Sequence, residues 1–418
     1  VRIETLCTGD ELLTGLTADT NSLFFQTRLL EILGEQVRRS TVVGDEREEL
    51  TGALREVAAR CDVVLVSGGL GPTADDLTVE CAAAAKGVAL ERHEGAWQYL
   101  QARFAERGVR LSANNEKQAW APVGAEVVIN TQGSAPMVVM TLGKATLYLV
   151  PGVPSEYRHL VETEVLPRLK ALRGEGVSEH RVLKVLKTIG LPESHLEERV
   201  QPAVKAYPKV LFGYRTHPPE NHLKLLAIAG THAAAVELAE AAARECRRLL
   251  GKNVFGEGAA RYEQVLGQML RGRKETVAAA ESCTAGNVAA ILAKEPGASD
   301  YFIGSAITYQ KSAKQRWAGV SGESLQKFGA VSTEVAKEMA EGVRAATGAT
   351  WGLATTGWAG PTGGTAADPV GTVYLGCAGP DGTQVRRVLF LGDRARVQQF
   401  AAYGALDVLR RAMLGRNG

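Results

Sequence analysis

Apolar positions recur along this chain in two rhythms, and their alternation predicts its layout. Residues 1–7 alternate as a strand, and residues 20–33 carry apolar side chains at helical spacing until Gly34 ends them. Residues 36–43 read as a second strand closed by Gly44-Asp45, 46–60 as a second helix, and 62–67 as a continuous valine-rich run. A run of that length and composition suits a strand buried on both faces of a parallel sheet. The β-α-β-α-β order then predicts right-handed crossovers between parallel strands. Helices are expected next at 77–86, 94–107 and 114–120, short strands at 125–129, 136–140 and 145–150, and a helix running to about residue 172.

A second, smaller pattern follows Arg173-Gly174-Glu175-Gly176, the expected boundary. Strands at 181–189, 209–214 and 222–229, helices at 193–205 and 233–250, and a short strand near 253–255 give the order βαββαβ, an α+β sandwich. Past Gly256-Glu257-Gly258 come a helix at 262–270, a small-residue strand at 276–280, a helix ending near 292 and strand-like runs at 303–309 and 352–356. Domains are therefore expected at 1–172, 173–258 and 259–418, the first and last of them α/β.

Whole-chain totals narrow the classes. A chain of 418 residues with 45% hydrophobic content has the length of roughly three domains and an ordinary globular core. A net charge of +2 supplies neither a basic footprint nor a charged tail, so nucleic acid is not an expected partner. The six cysteines are scattered, without a CxxC pair or a histidine at zinc-ligand spacing, which reads as a reduced, cytoplasmic chain with thiols packed as small apolar groups. The first residues turn polar too soon for a signal peptide or a membrane span, so no membrane partner is expected either.

Candidate chemistry sits where strands give out. Gly68, Gly69 and Gly71 follow the valine-rich run, free to adopt dihedrals closed to other residues and to lay peptide N–H groups against phosphate oxygens. Asp75 and Asp76 come within one turn, as oxygen ligands for a divalent cation. The plainer reading is a strand-to-helix turn whose aspartates cap the helix starting near residue 77. Asp10, Asp45 and Glu156 follow other strands, and a doubly wound sheet brings such loops to one edge.

The segments GDELLTG at 9–15, ADTNS at 18–22, VGD at 43–45, SGGLGPTADDLT at 67–78 and LVPGVPSE at 149–156 are similar, in order and spacing, to those of the CinA proteins. Their amino-terminal domain resembles the molybdopterin-binding MoaB/MogA fold. The resemblance implies a doubly wound domain that cleaves ADP-ribose to AMP and ribose 5-phosphate with a divalent cation, magnesium or a transition metal. On that reading Asp75, Asp76 and Asp45 hold the cation, and Gly68, Gly69, Gly71, Thr73, Asp10, Gly152, Pro154 and Glu156 bind substrate. The relatives in molybdenum-cofactor synthesis imply instead a protein that binds or adenylylates a pterin. The competence association of the CinA name suggests a third alternative, a nucleic-acid interaction protein. In CinA proteins the middle domain is KH-like, but a KH module that grips nucleic acid needs a GXXG loop, and Gly190-Leu191-Pro192-Glu193 is not one. A connector or dimerisation element is expected there, and the family implies a homodimer. Arg215, His217, Glu220 and His222 resemble a catalytic cluster, though Pro218 and Pro219 make a hairpin loop the simpler reading.

In the last domain, Glu281-Ser282-Cys283-Thr284-Ala285-Gly286 joins a strand to a helix start, where exposed N–H groups favour an oxyanion or a phosphate. On their own, Ser282 and Thr284 read first as caps of that helix. ESCTAG, Tyr309 with Lys314, the GWAGPTGG loop at 357–364 and PVGTVYLG at 369–376 are similar to the PncC family of nicotinamide mononucleotide deamidases. That resemblance implies hydrolysis of the carboxamide to nicotinate mononucleotide and ammonia, with no cofactor. Ser282 attacks, Lys314 takes its proton, Tyr309 orients the lysine or relays the proton, and N–H groups near Cys283 and Thr284 form the oxyanion hole. Gly360, Gly363, Gly364 and Arg394 bind substrate. Cys283 is a rival nucleophile, but no histidine lies in 259–418 to activate it. Ala285 stands where the family usually has glycine, Trp358 where it has isoleucine, Ala366-Ala367-Asp368 where it is more charged, and Gln398 where it has arginine.

Overall fold

The computed structural model describes residues 1–173 and 179–416, so Gly174, Glu175 and Gly176 of the expected boundary lie outside the described residues. The chain divides into two compact units, Val1–Leu183 with Ile228–Val236, and Lys184–Ala227 with Glu237–Gly418.

In the first unit the valine-rich run forms the strand Val63–Ser67, buried along its whole length, with Ile3–Thr8 on one side and Ala145–Val150 on the other. Strand order from one edge is Val37–Val43, Ile3–Thr8, Val63–Ser67, Ala145–Val150, Met137–Leu142 and Glu126–Val128. The first four are parallel, as the crossover pattern predicts. The last two are antiparallel, a departure from an all-parallel sheet. Its cause is local: Leu142 pairs with Ala145 across Gly143-Lys144, and Gly143 at φ 59° permits the tight hairpin that returns the chain beside itself. Apolar side chains fill both faces. Leu50, Leu54 and Val57 of helix Arg47–Arg60, with Cys81 and Ala82 of Thr78–Lys86, meet one face. Phe25 and Leu29 of Thr20–Leu33 and Tyr157 and Leu160 of Pro154–Leu160 meet the other. Every polar loop at the carboxyl ends of the parallel strands thus opens on the same edge, where open α/β sheets place ligands.

Two further main sheets follow along the chain. Val210–His217, Glu220–Ala229, His180–Ile189 and Val254–Glu257 pair in that order, flanked by helices Glu193–Ala206 and His232–Leu250, the expected βαββαβ sequence. The other sheet runs Phe302–Ile307, Val277–Glu281, Trp351–Gly357, Thr372–Gly379 and Gly382–Leu389. Its first three strands are parallel, and the last two form an antiparallel hairpin that the motifs alone do not specify. Helix Arg394–Gly415 buries Val397, Ala401 and Leu406 on one face, and Thr333–Thr347 buries Val335, Met339 and Val343 on the other. Gly352 lies where a Cβ would run into the Ala340 carbonyl, so this strand and helix approach to backbone contact.

Among the described residues no helix is long and apolar enough to cross a membrane. All six cysteines are free and buried, as the reading of packed thiols anticipates.

Candidate functional site

The glycine turn of the first unit is built by steric necessity. Gly68 has φ 104°, and a Cβ there would sit 2.6 Å from the Thr8 carbonyl oxygen; Gly69 has φ 66° and would collide with the Thr78 hydroxyl. That hydroxyl donates to the Gly68 carbonyl at 2.8 Å. Gly71 faces the Asp76 carboxylate, which accepts from the Thr73 N–H at 2.8 Å and from the Thr73 hydroxyl. Asp76 therefore ties its own loop, and neither aspartate caps the helix Thr78–Lys86, whose first turn has no side-chain cap. The capping reading is corrected: the chain needs Asp76 to close the glycine turn three residues back.

The structure gathers most of the expected residues on one cavity of about 350 Å³. Gly68, Gly69, Gly71, Asp45, Asp75, Asp76, Gly152 and Glu156 all line it. Thr73 lines an adjoining cavity of about 500 Å³, which Lys117 and Trp120 also enclose. Pro154 lines a third, with Gly68 and Gly152. Asp10 is exposed and exchanges reciprocal hydrogen bonds with Asp45, each backbone N–H donating to the other's carboxylate at 3.2 Å. Asp45 also accepts from the Thr8 hydroxyl at 2.6 Å. The Thr73 hydroxyl holds the exposed Asp75 carboxyl below its ordinary range. Burial pushes Glu156 up, opposed by the Asn130 amide that donates to it at 2.6 Å. Asn21, within the ADTNS segment but not among the expected site residues, donates to Ser67 Oγ at 3.0 Å and to the Gly152 carbonyl at 2.8 Å, joining two loops of the edge.

Asp45, Asp75 and Asp76 do not close into a preformed cage: among the described residues they form no group of three whose ligand atoms lie within 4.8 Å of one another. Spread around one cavity, they suit a hard cation that keeps most of its waters and takes one or two carboxylates together with phosphate oxygens.

In the second unit, Val277–Glu281 delivers a polar turn into the short helix Asn287–Leu292. Lys314, on helix Lys311–Ala318, is buried and donates to Ser282 Oγ and to the Thr308 carbonyl, both at 2.7 Å. Burial pushes its ammonium down to about 8 from an ordinary 10.5. The amides of Cys283 and Thr284 donate to no backbone carbonyl among the described residues, whereas those of Ser282 and Ala285 are taken by Thr355 and Ser282 carbonyls. Cys283 packs in the core, and burial raises its thiol to about 12, which disfavours the thiolate there.

Two expectations change here. Ser282 and Thr284 are not helix caps. The capping acceptor is Glu281, fully buried, whose carboxylate takes the N–H groups of Gly286, Val288 and Ala289 at 2.9–3.0 Å and the hydroxyls of Thr284 and Ser305. Sequence reasoning passes over it because the familiar capping patterns place the acceptor two or three residues before its donors, not five to eight. Tyr309 does not touch the Lys314 amine with its phenol: the ring is exposed and its hydroxyl accepts from Arg394 at 2.6 Å, while Lys314 reaches only the Tyr309 main-chain oxygen, at 3.4 Å.

Arg394 also donates to the Gly360 carbonyl at 2.8 Å, fastening the glycine loop to Tyr309. Gly363 lies against the Trp358 ring, where a Cβ would come within 2.6 Å, and Gly364 has φ 82°. Asp368, in the less charged stretch, is held by Arg387 at 2.8 Å and by the Tyr374 hydroxyl. Gln398 donates to the Cys283 carbonyl at 2.8 Å, so it steadies the turn that carries Ser282, at the position where the resemblance leads one to expect arginine. Ala285 has φ 50°, a left-handed conformation that explains the usual glycine.

Comparison with known protein families matches three successive stretches of the chain. Residues 4–171 match the family described as "Probable molybdopterin binding domain", 183–256 the "Damage-inducible protein CinA KH domain", and 259–413 the "CinA C-terminal domain". A CinA-like protein of Myxococcus xanthus is 47% identical over 99% of both chains, and one of Anaeromyxobacter dehalogenans is 46% identical over 99% of this chain and its own full length. A solved CinA of unknown function from Thermoplasma acidophilum, 34% identical, covers 40% of this chain and 96% of its own, with a TM-score of 0.37. Matched end to end by relatives of that name, and carrying their three domains in order, the chain belongs to the CinA family.

Proposed function

We propose that the protein is a bifunctional hydrolase of pyridine nucleotides, deamidating nicotinamide mononucleotide in its carboxyl-terminal domain and cleaving ADP-ribose in its amino-terminal one. The observation that carries the reading is the buried Ser282–Lys314 pair, 2.7 Å apart, with an amine that burial makes easy to deprotonate.

Neutral Lys314 accepts the Ser282 proton as Oγ attacks the carboxamide carbon. The Cys283 and Thr284 amides receive the oxyanion, each such donor being worth about 3 kcal/mol. On collapse the C–N bond breaks, the Lys314 ammonium gives its proton to the departing amine, and ammonia leaves an ester on Ser282. Water, deprotonated by Lys314, hydrolyses the ester and returns the serine. The Arg394 guanidinium, already at the glycine loop, offers a bidentate partner for the nucleotide phosphate.

In the other domain the Gly68–Gly71 turn presents amides to the pyrophosphate, and Asp75, Asp76 and Asp45 would hold a divalent cation. That ion, when bound, neutralises developing charge and orients water. Asp76 also keeps the turn in shape through Thr73. The name of the matching domain family favours a second reading for this half, pterin binding without turnover of ADP-ribose.

Purified Ser282→Ala, Lys314→Met and Asp76→Ala chains, assayed chromatographically on both nucleotides, test the assignment. The first two should lose deamidation by about a hundredfold or more and keep ADP-ribose cleavage; the third should do the reverse. Full deamidation by Ser282→Ala would remove the serine from the reaction, and an Asp76→Ala chain as fast as the parent would remove that carboxylate. Absence of any ADP-ribose turnover in the parent, with pterin bound, would favour the second reading.

A further inference from the structure

Outside both sites, the hairpin of the middle domain brings three metal-ligating side chains together. Val210–His217 and Glu220–Ala229 pair with His217 opposite Glu220 and Arg215 opposite His222. Because side chains alternate along a strand, all four lie on one face of the sheet. His222 Nε2 is 2.9 Å from Glu220 Oε2, and the His217 and His222 rings stack at 5.4 Å and 14°. One ligand atom from each of His217, Glu220 and His222 lies within 4.8 Å of the other two.

We propose that His217, Glu220 and His222 form a binding site for a borderline transition-metal dication of the zinc or cobalt kind, with its remaining position open to water.

The identity of the ion follows from the donors and their neighbours. Lys187 stands 3.8 Å from Glu220, and Arg215 faces His222 across the ladder. Two nearby positive charges repel a cation held by charge alone, which disfavours magnesium and calcium. Imidazole nitrogens bond zinc, cobalt and nickel far more strongly than they bond hard ions, so those metals retain affinity there. His217 is exposed. Stacked rings direct their lone pairs side by side, so binding requires His217 to turn out of the stack toward the other two ligands.

The test uses the full-length protein, stripped by chelator and titrated with cobalt(II) in a large excess of magnesium, which occupies oxygen-lined sites. One tightly bound cobalt is expected, with visible absorption of low-coordinate geometry, imidazole scattering in its X-ray absorption spectrum, and displacement by zinc. The His217→Ala/His222→Ala double variant should fold, by circular dichroism, and bind at least about a hundredfold more weakly. Equal cobalt binding by that variant, binding abolished by magnesium, or a spectrum of oxygen ligands alone would overturn the proposal.

Discussion

Lys314 shows how one side chain's surroundings set its chemistry. At its ordinary value of 10.5 the amine would be about 0.03% neutral at pH 7; with burial bringing it to about 8, roughly a tenth is neutral. The deamidation rate should therefore climb about tenfold per pH unit below pH 8 and level off above it, which a pH profile of kcat/KM measures. A profile flat between pH 6 and 8 would deny Lys314 the role of base. The sign for stability is the same: between about 8 and 10.5 the unfolded chain holds a proton that the folded chain has lost, so stability rises with pH across that window. That Ser282 and Lys314 work together was readable as an expectation from their motifs, and the fold brings the two side chains to 2.7 Å. What Tyr309 does was not, because its phenol and its main-chain oxygen face different partners, and only the fold decides that Arg394 takes the first.

At the scale of elements, the strand-to-helix turn at 281–287 is held by a carboxylate rather than by its own hydroxyls. Glu281 accepts from three amides of the following helix start, so its charge sits against the positive end of that helix as well as in its hydrogen bonds. Replacing it with glutamine puts an NH₂ group among donors in a site closed to water. Glu281→Gln should destabilise the unit by about 3 kcal/mol and loosen the turn that carries Ser282. Urea unfolding and amide exchange across 277–292 measure this; unchanged protection there would show that the turn does not depend on the charge. Periodicity revealed the buried strands, since runs such as Val63–Ser67 and Val277–Glu281 have few other fates, but it did not single out helices Thr333–Thr347 and Arg394–Gly415. It did not reveal the antiparallel edge of the first sheet, which depends on the two-residue hairpin at Gly143-Lys144, nor the closing hairpin Thr372–Gly379 with Gly382–Leu389. Pairing direction is a property of turns and neighbours, and a strand's own side chains carry little of it.

Across the whole molecule, two α/β sheets with similar strand-end turns are equipped for opposite electrostatic problems. The first lines its cavity with Asp45, Asp75, Asp76 and Glu156, which would repel a pyrophosphate unless a cation stood between them. The second sets Lys314 and Arg394 at its turns and can meet a phosphate and an oxyanion directly. Dependence on a divalent ion should therefore divide along the chain. In a single sample containing both nucleotides, a chelator should stop ADP-ribose cleavage, leave deamidation within about twofold of its starting rate, and be reversed for the first reaction by added magnesium or a transition metal. Loss of both reactions together would mean that the serine–lysine site also needs the ion, and the charge argument separating the two chemistries would fail.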